Sequence, residues 1–360
     1  MTAVPAEPAA WRTRDDLAAA GRTATGLLLV SADAGSVVPA APDALTAAYG
    51  AALEAAGVGG RDRVVAALSG DGELAGAQWA RAAAEVAAAG ASVGPRGRLR
   101  LHHALESLAA TTLVITPTGA MDLLARLHLE FLLDPLDLGL RHVVLTGEIA
   151  SRGTMAHLAT EFGATVTEVH CSPFTAAPLG LRSSEAEPLT LLVPGSVALA
   201  PLDKDEIAAP PYGEGPAELV VAGVRPGEVV RTGQVARTTG GDAIPAPAHT
   251  VGDHVLVRGV WVSLNRIQRA LGRIDGVSGW ELGVSRQGTL DAAVLTVTFG
   301  RESLVANPMW KARVQQALKA LTPVTIAVEI SGHVSEAVTP GVVNDTRGHH
   351  LGRDRTSVPR

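Results

Sequence analysis

Residues 136–149 read Leu-Asp-Leu-Gly-Leu-Arg-His-Val-Val-Leu-Thr-Gly-Glu-Ile, and this run sets the frame for the chain. His142–Thr146 is β-favouring and is bounded by Gly147-Glu148, which predicts a short strand ended by a turn. Ser151 is a natural helix cap, so Ser151–Glu161 is read as a helix and Thr165–Val169 as the next strand. Strand, helix, strand is the repeating unit of a parallel sheet. Toward the N-terminus the rhythm continues. Strands are expected at Gly26–Val30, Arg63–Leu68 and Thr112–Thr116, with helices at Pro42–Ala56, Leu74–Ala89, Leu101–Ala109 and Ala120–Leu132. The fold class of this part is α/β.

Toward the C-terminus the character changes after Ser183-Ser184-Glu185. Short strands at Thr190–Val193, Ala217–Val221 and Glu228–Thr232, separated by Pro and Gly, read as a β-rich subdomain over about 184–240. The stretch Gly240–Ala248 reads as a linker. Beyond it come Val255–Val262, Leu264–Ile274, Gly279–Val284, Ala292–Phe299, Met309–Leu321 and Val324–Ile330 in the order strand, helix, strand, strand, helix, strand. That βαββαβ order predicts a small ferredoxin-like α+β domain. The expected division is a large N-terminal domain over 1–248, a small domain over 249–338, and a polar, mobile tail over 339–360.

Composition narrows the function classes. A hydrophobic fraction of 47% against 18% charged excludes wholesale disorder in 360 residues. One cysteine, Cys171, excludes an intramolecular disulfide, and no Cys/His cluster has structural-zinc spacing, so no metal ligand is assigned. A net charge of −6 with scattered arginines argues against a nucleic-acid partner. No apolar run approaches the roughly 20 residues of a membrane span, and the reading is a soluble cytoplasmic protein without a membrane partner. Basic residues number 30, of which only Lys204, Lys311 and Lys319 are lysines. A mechanism that needs a lysine must use one of these.

Five segments carry a resemblance. They are Val30-Ser31-Ala32-Asp33-Ala34-Gly35-Ser36-Val37-Val38-Pro39, the turn Gly147-Glu148, Val169-His170-Cys171-Ser172-Pro173-Phe174-Thr175, Val230-Arg231-Thr232-Gly233-Gln234, and the pair Gly252-Asp253 ahead of Val257–Val262 together with Thr339-Pro340-Gly341. In that order, and from about Leu27 to about Arg353, the chain resembles the adenylate-forming superfamily, in its phenylacetate:CoA ligase-like branch. The resemblance implies a large α/β domain with a β-rich subdomain and a C-terminal lid. It also implies ATP/AMP and magnesium as cofactors, CoA as a co-substrate whose use here stays open, and an aryl or acyl carboxylic acid or its activated intermediate as ligand. A carrier protein or pathway enzyme as partner and a homodimer are implied in the same way.

Residue by residue, the resemblance puts Ser31, Gly35 and Ser36 in the phosphate loop and Gly147-Glu148 against the adenine and acyl pocket. Arg231 and Gln234 fall in the segment that holds the ribose, and Asp253 at the hinge. His170 stands where the family has the aromatic that stacks on adenine, and His349 where it has the catalytic lysine of the lid. The departures share one direction. The phosphate loop has Asp33 and no lysine, Pro173 replaces a hydroxyl, Phe174 replaces the magnesium carboxylate, Gln234 replaces an acid, and Thr250 replaces an arginine. Magnesium takes hard oxygen ligands, and a phenyl ring offers none. Each lost charge typically removes a few kcal/mol of transition-state stabilisation, on the order of 10²-fold in rate.

Three readings follow for the chemistry. One is an AMP-forming acid ligase with a site rebuilt around His170, Gln234 and His349, the last acting as a cation below its reference pKa of about 6.5. The second is a non-catalytic pathway partner that keeps the fold and binds the acid. The third is an ATP-independent condensation or cyclisation of an acyl or aryl compound, with histidines or Cys171 as acid, base or nucleophile. Against the third, adjacent residues on a strand face opposite ways, so His170 and Cys171 do not pair directly and Cys171 reads as a buried, inert thiol.

Overall fold

The structure is a computed structural model that describes residues 3–17, 21–69, 75–172, 174–175, 177–223 and 225–359. Leu74, the expected start of one helix, and Pro173 lie outside the described residues. Two compact units divide the chain, the first comprising 1–31 and 35–248, the second 32–34 and 249–359.

In the first unit the strands are β1 (Ala10–Arg12), β2 (Leu27–Val30), β3 (Val37–Ala40), β4 (Arg63–Ala66), β5 (Ala89–Ser92), β6 (Thr112–Ile115), β7 (His142–Thr146), β8 (Thr165–Ser172), β9 (Ala177–Arg182), β10 (Thr190–Leu191), β11 (Val197–Pro201), β12 (Glu214–Ala222) and β13 (Glu228–Thr239). Its helices are α1 (Pro42–Ala55), α2 (Gly76–Val86), α3 (Arg98–Ser107), α4 (Pro117–Arg126) and α5 (Thr154–Phe162). Among the described residues, seven strands form the main sheet in the order β10-β9-β8-β7-β6-β4-β5. The pairs from β5 to β8 are parallel, and β9 and β10 add antiparallel strands at one edge.

Both faces of this sheet are covered, as a parallel sheet requires. Val64, Ala66, Val114, Val144, Val169 and Cys171 face α1 and α2, whose Leu45, Tyr49, Leu53 and Trp79 complete one core. Val65, Leu113, Ile115, Val143 and Leu145 alternate with them and face α3, α4 and α5. A Cβ on Gly90 of β5 would overlap the Ala80 carbonyl of α2, so that close approach admits only glycine. The β-rich part has the order β1-β13-β12-β11. β1, which the sequence reading did not foresee, lies parallel to β13 from Ala10 opposite Glu228 to Arg12 opposite Val230.

The second unit contains β14 (His249–Thr250), β15 (His254–Val257), β16 (Val260–Ser263), α6 (Leu264–Leu271), β17 (Val277–Gln287), β18 (Leu290–Phe299), α7 (Glu302–Val305), α8 (Pro308–Lys319), β19 (Ile326–Val334) and β20 (Val342–Asp345). Its sheet has the order β19-β18-β17-β20. This corrects the ferredoxin-like expectation. The predicted strand Val255–Val262 is a hairpin, because Arg258 and Gly259 both have positive φ, 50° and 73°, and form a two-residue turn that reverses the chain. It stands outside the sheet, and the edge place beside β17 is taken by β20. The described part of the expected tail, residues 339–359, is therefore not free. β20 runs parallel to β17 from Val342 opposite Glu281 to Asp345 opposite Val284. Gly341 packs so closely on the Trp280 indole that a Cβ would overlap it. Charge explains why so polar a segment docks: Arg347 lies 2.5 Å from Asp291 and 2.7 Å from Asp345, all three buried.

Candidate functional site

The site residues anticipated from sequence fall in five places. At the end of β7, Gly147 has φ 83°, a conformation suited to glycine. Glu148 then reaches the N-terminus of α4, accepting from the Thr118 backbone N–H at 3.0 Å and the Thr118 hydroxyl at 3.0 Å. Thr116 caps the same helix by accepting from the Gly119 N–H at 3.1 Å. A carboxylate at a helix N-terminus is stabilised by the unsatisfied amides and the dipole. Glu148 thus holds β7 to α4, and Thr118, which the sequence marks as a helix start, lies one residue inside a helix capped by Thr116 and serves instead as the partner of Glu148.

Next to β7, parallel β8 carries His170 and Cys171. Cys171 packs with Val169 against the α1–α2 core, so the two side chains leave opposite faces of the strand. Burial pushes the Cys171 thiol up to about 12, only partly offset by the Thr146 hydroxyl, which donates to Sγ at 3.4 Å. A thiol protonated at neutral pH is no nucleophile. His170 is held down to about 4, first by burial and then by the charge of Arg182, so its imidazole is neutral. Its Nε2 meets no hydrogen-bond partner among the described residues. Two residues further along, the Ser172 hydroxyl accepts from the Phe174 N–H at 3.1 Å. Phe174 is 3% exposed and sits in a core with Leu179, Leu199 and Leu219. The Arg14 guanidinium lies 5.6 Å from its ring centroid.

Arg231 belongs to a buried polar hub in the β-rich part. It donates to Glu218 at 2.8 Å and to Asp205 at 2.9 Å, and stacks 4.9 Å from the Trp11 ring centroid. Glu218 also accepts from the Gly233 N–H at 2.8 Å, and the Thr232 hydroxyl donates to the Leu219 carbonyl at 2.6 Å. The retained Arg-Thr-Gly thus ties β13 to β12. Gln234 is buried, and its amide oxygen has no hydrogen-bond partner among the described residues.

The phosphate-loop segment is the turn of the β2–β3 hairpin. The N–H groups of Gly35 and Ser36 donate inward to the Ser31 hydroxyl at 3.1 and 2.9 Å. Amides aimed at Ser31 Oγ are not free to cradle a phosphate. Within the second unit, buried Asp33 lies 3.6 Å from the Arg266 guanidinium. Asp253 pairs with Arg353 at 2.6 Å, and the Thr250 N–H donates to the His349 carbonyl at 2.6 Å. His349 is pushed down to about 4, by burial first and then by Arg347. It is uncharged at neutral pH and supplies no cation in place of lysine. His350 is likewise held down to about 4 by burial.

These observations test the implied cofactor. At the position to which the resemblance assigns a magnesium carboxylate, this chain has a buried phenyl ring beside a guanidinium, which repels a divalent cation. Glu148 and Asp253 are engaged with Thr118 and Arg353. The residues present do not fit magnesium-ATP held in the family's way.

No protein-family profile matches the chain, and no curated protein matches it in sequence. Solved structures do. A 2-hydroxyisobutyryl-CoA ligase in complex with 2-HIB-AMP and CoA superposes with a TM-score of 0.74 at 16% identity, over 93% of this chain and 80% of that one. A malonyl-CoA ligase with methylmalonyl-CoA and AMP bound gives 0.59 at 18% identity, over 86% and 70%. The amide bond synthetase McbA from Marinactinospora thermotolerans gives 0.59 at 17% identity, over 89% and 65%. Among the described residues no helix is long and apolar enough to cross a membrane. With its doubly covered parallel sheet, β-rich part and smaller second unit, the chain has the fold of the adenylate-forming ligases.

Proposed function

We propose that this chain is a ligase-like protein that binds a carboxylic acid or its activated derivative, and that magnesium-dependent adenylation is weakened or lost. The observation that carries this reading is Phe174, buried with Leu179 and Leu199 at the position that the sequence resemblance matches to a metal carboxylate. Adenylation joins a carboxylate to an α-phosphate, so anions must be brought together and charge must be offset in the transition state. Here the lysines are elsewhere, His349 is neutral, and Asp33 lies in the loop where a cation belongs. The fold likeness supports a retained acid or acyl site, since the relatives bind acyl adenylates and CoA thioesters. His170 and Gln234 suit a hydrogen-bonded, uncharged part of such a ligand. Burial, which pushes the Cys171 thiol up to about 12, weighs against its use as a nucleophile.

Calorimetry with magnesium-ATP, pyrophosphate release over a panel of aryl and aliphatic acids, and titration with the matching CoA thioesters test the proposal together. The expected result is binding of an acid or thioester without acid-dependent pyrophosphate. Tight magnesium-ATP binding with acid-dependent pyrophosphate release would overturn it.

A further inference from the structure

Away from the residues described above, α3 carries His102, His103 and Glu106. On a helix, residues i and i+4, and also i and i+3, lie on a shared face, so Glu106 is within reach of both histidines. His102 Nδ1 is 3.3 Å from Glu106 Oε2, and His103 Nδ1 is 3.6 Å from the same oxygen. One ligand atom from each of the three side chains can be chosen so that all lie within 4.8 Å of one another.

We propose that His102, His103 and Glu106 form a zinc site on α3. Zinc binds imidazole nitrogen at about 2.0–2.1 Å and carboxylate oxygen at about the same distance, which sets the edges of its tetrahedron at about 3.3–3.4 Å. Two of the three edges are already close to that length, and the third closes by a turn of the exposed His103 ring. Packing fixes the first ligand. His102 is 7% exposed and its ring lies 5.6 Å from that of Phe131, so its direction is set before any metal arrives. His103 and Glu106 are exposed, which leaves the fourth position to water. Two imidazoles and one carboxylate are a borderline donor set. It suits zinc over magnesium or calcium, which take oxygen ligands. The competing account is an ordinary pair of histidines hydrogen-bonded to a surface glutamate.

The full chain, stripped with chelator, is titrated with zinc chloride at pH 7.5 and, in parallel, with cobalt(II) followed by visible absorption. The expected result is one zinc per chain with micromolar affinity, and the intense bands of four-coordinate cobalt. His103→Ala and Glu106→Ala should each weaken binding on the order of tenfold or more and remove those bands. Both side chains are exposed, so the variants should keep the wild-type circular dichroism. No zinc uptake at concentrations on the order of 100 μM overturns the proposal. So does unchanged affinity in both variants, which would assign the metal to other histidines.

Discussion

A single guanidinium shows how a residue shared with a functional motif can have structural work. Arg231 is 6% exposed and Glu218 is fully buried, and the Asp205 carboxylate, the Trp11 ring and the Glu218 carboxylate all converge on Arg231. Breaking a buried pair by removing one partner leaves an uncompensated charge, which typically costs about 3–5 kcal/mol. Arg231→Ala should therefore destabilise the first unit by that order in urea unfolding, and unfolding at wild-type denaturant would show that the hub is dispensable. Cys171 gives a second test at this scale. Its thiol should stay unreacted with a soluble disulfide reagent at pH 8 in the native protein and react at once in denaturant, because burial holds it protonated. Rapid native labelling would contradict that environment. Sequence could name both residues but not their surroundings. Arg231-Thr232-Gly233 was readable as a motif, while its partners Glu218 and Asp205 are 13 and 26 residues away and come together only through the β12–β13 pairing and the loop beyond β11.

At the scale of elements, the alternating strands and helices of the first unit were legible because each buried strand is a short β-favouring run beside a turn signal. β6 and β7 are observed at Thr112–Ile115 and His142–Thr146, against expectations of Thr112–Thr116 and His142–Thr146. Less legible were elements whose stability is non-local. β1 exists by pairing with β13 more than two hundred residues later, and β20 by pairing with β17. His102-His103 reads in the sequence as the polar first turn of a helix, and only the helical spacing to Glu106 brings a carboxylate to both rings. For β20 the decisive contact is Gly341 on Trp280. Gly341→Ala puts a Cβ into the space the Trp280 indole occupies, and overpacking of this kind costs about 1–3 kcal/mol. The strand should loosen at its start, and amide exchange in β17 from Glu281 to Val284 should accelerate over wild type. Unchanged protection there would mean that β20 is held by Arg347 and the ladder alone.

Across the whole molecule, four imidazoles are lowered with burial as the first cause, His142 and His170 in the first unit and His349 and His350 in the second, the last three down to about 4. An unfolded imidazole titrates near 6.5, so between about 4 and 6.5 the unfolded chain binds more protons than the native one. Stability must then rise with pH through that window and fall as the solution is acidified from about 6.5 toward about 4. Fully buried His170 alone should contribute on the order of 3 kcal/mol to this loss once its native value is passed. Asp345, lowered chiefly by Arg347 against the opposing effect of burial, adds a loss at still lower pH, as the solution falls through its depressed value. Glu168 works the other way: burial raises it despite Arg182, so its protonation relieves the native state on acidification. A chain of two units need not unfold in one step, so the measurement is urea unfolding at pH 7.5, 6 and 5 with exchange followed separately in each unit. Both units should lose stability at pH 5, and His170→Asn should flatten the dependence in the first unit while leaving that of the second unchanged. An equally steep first-unit profile in that variant would remove His170 as its cause.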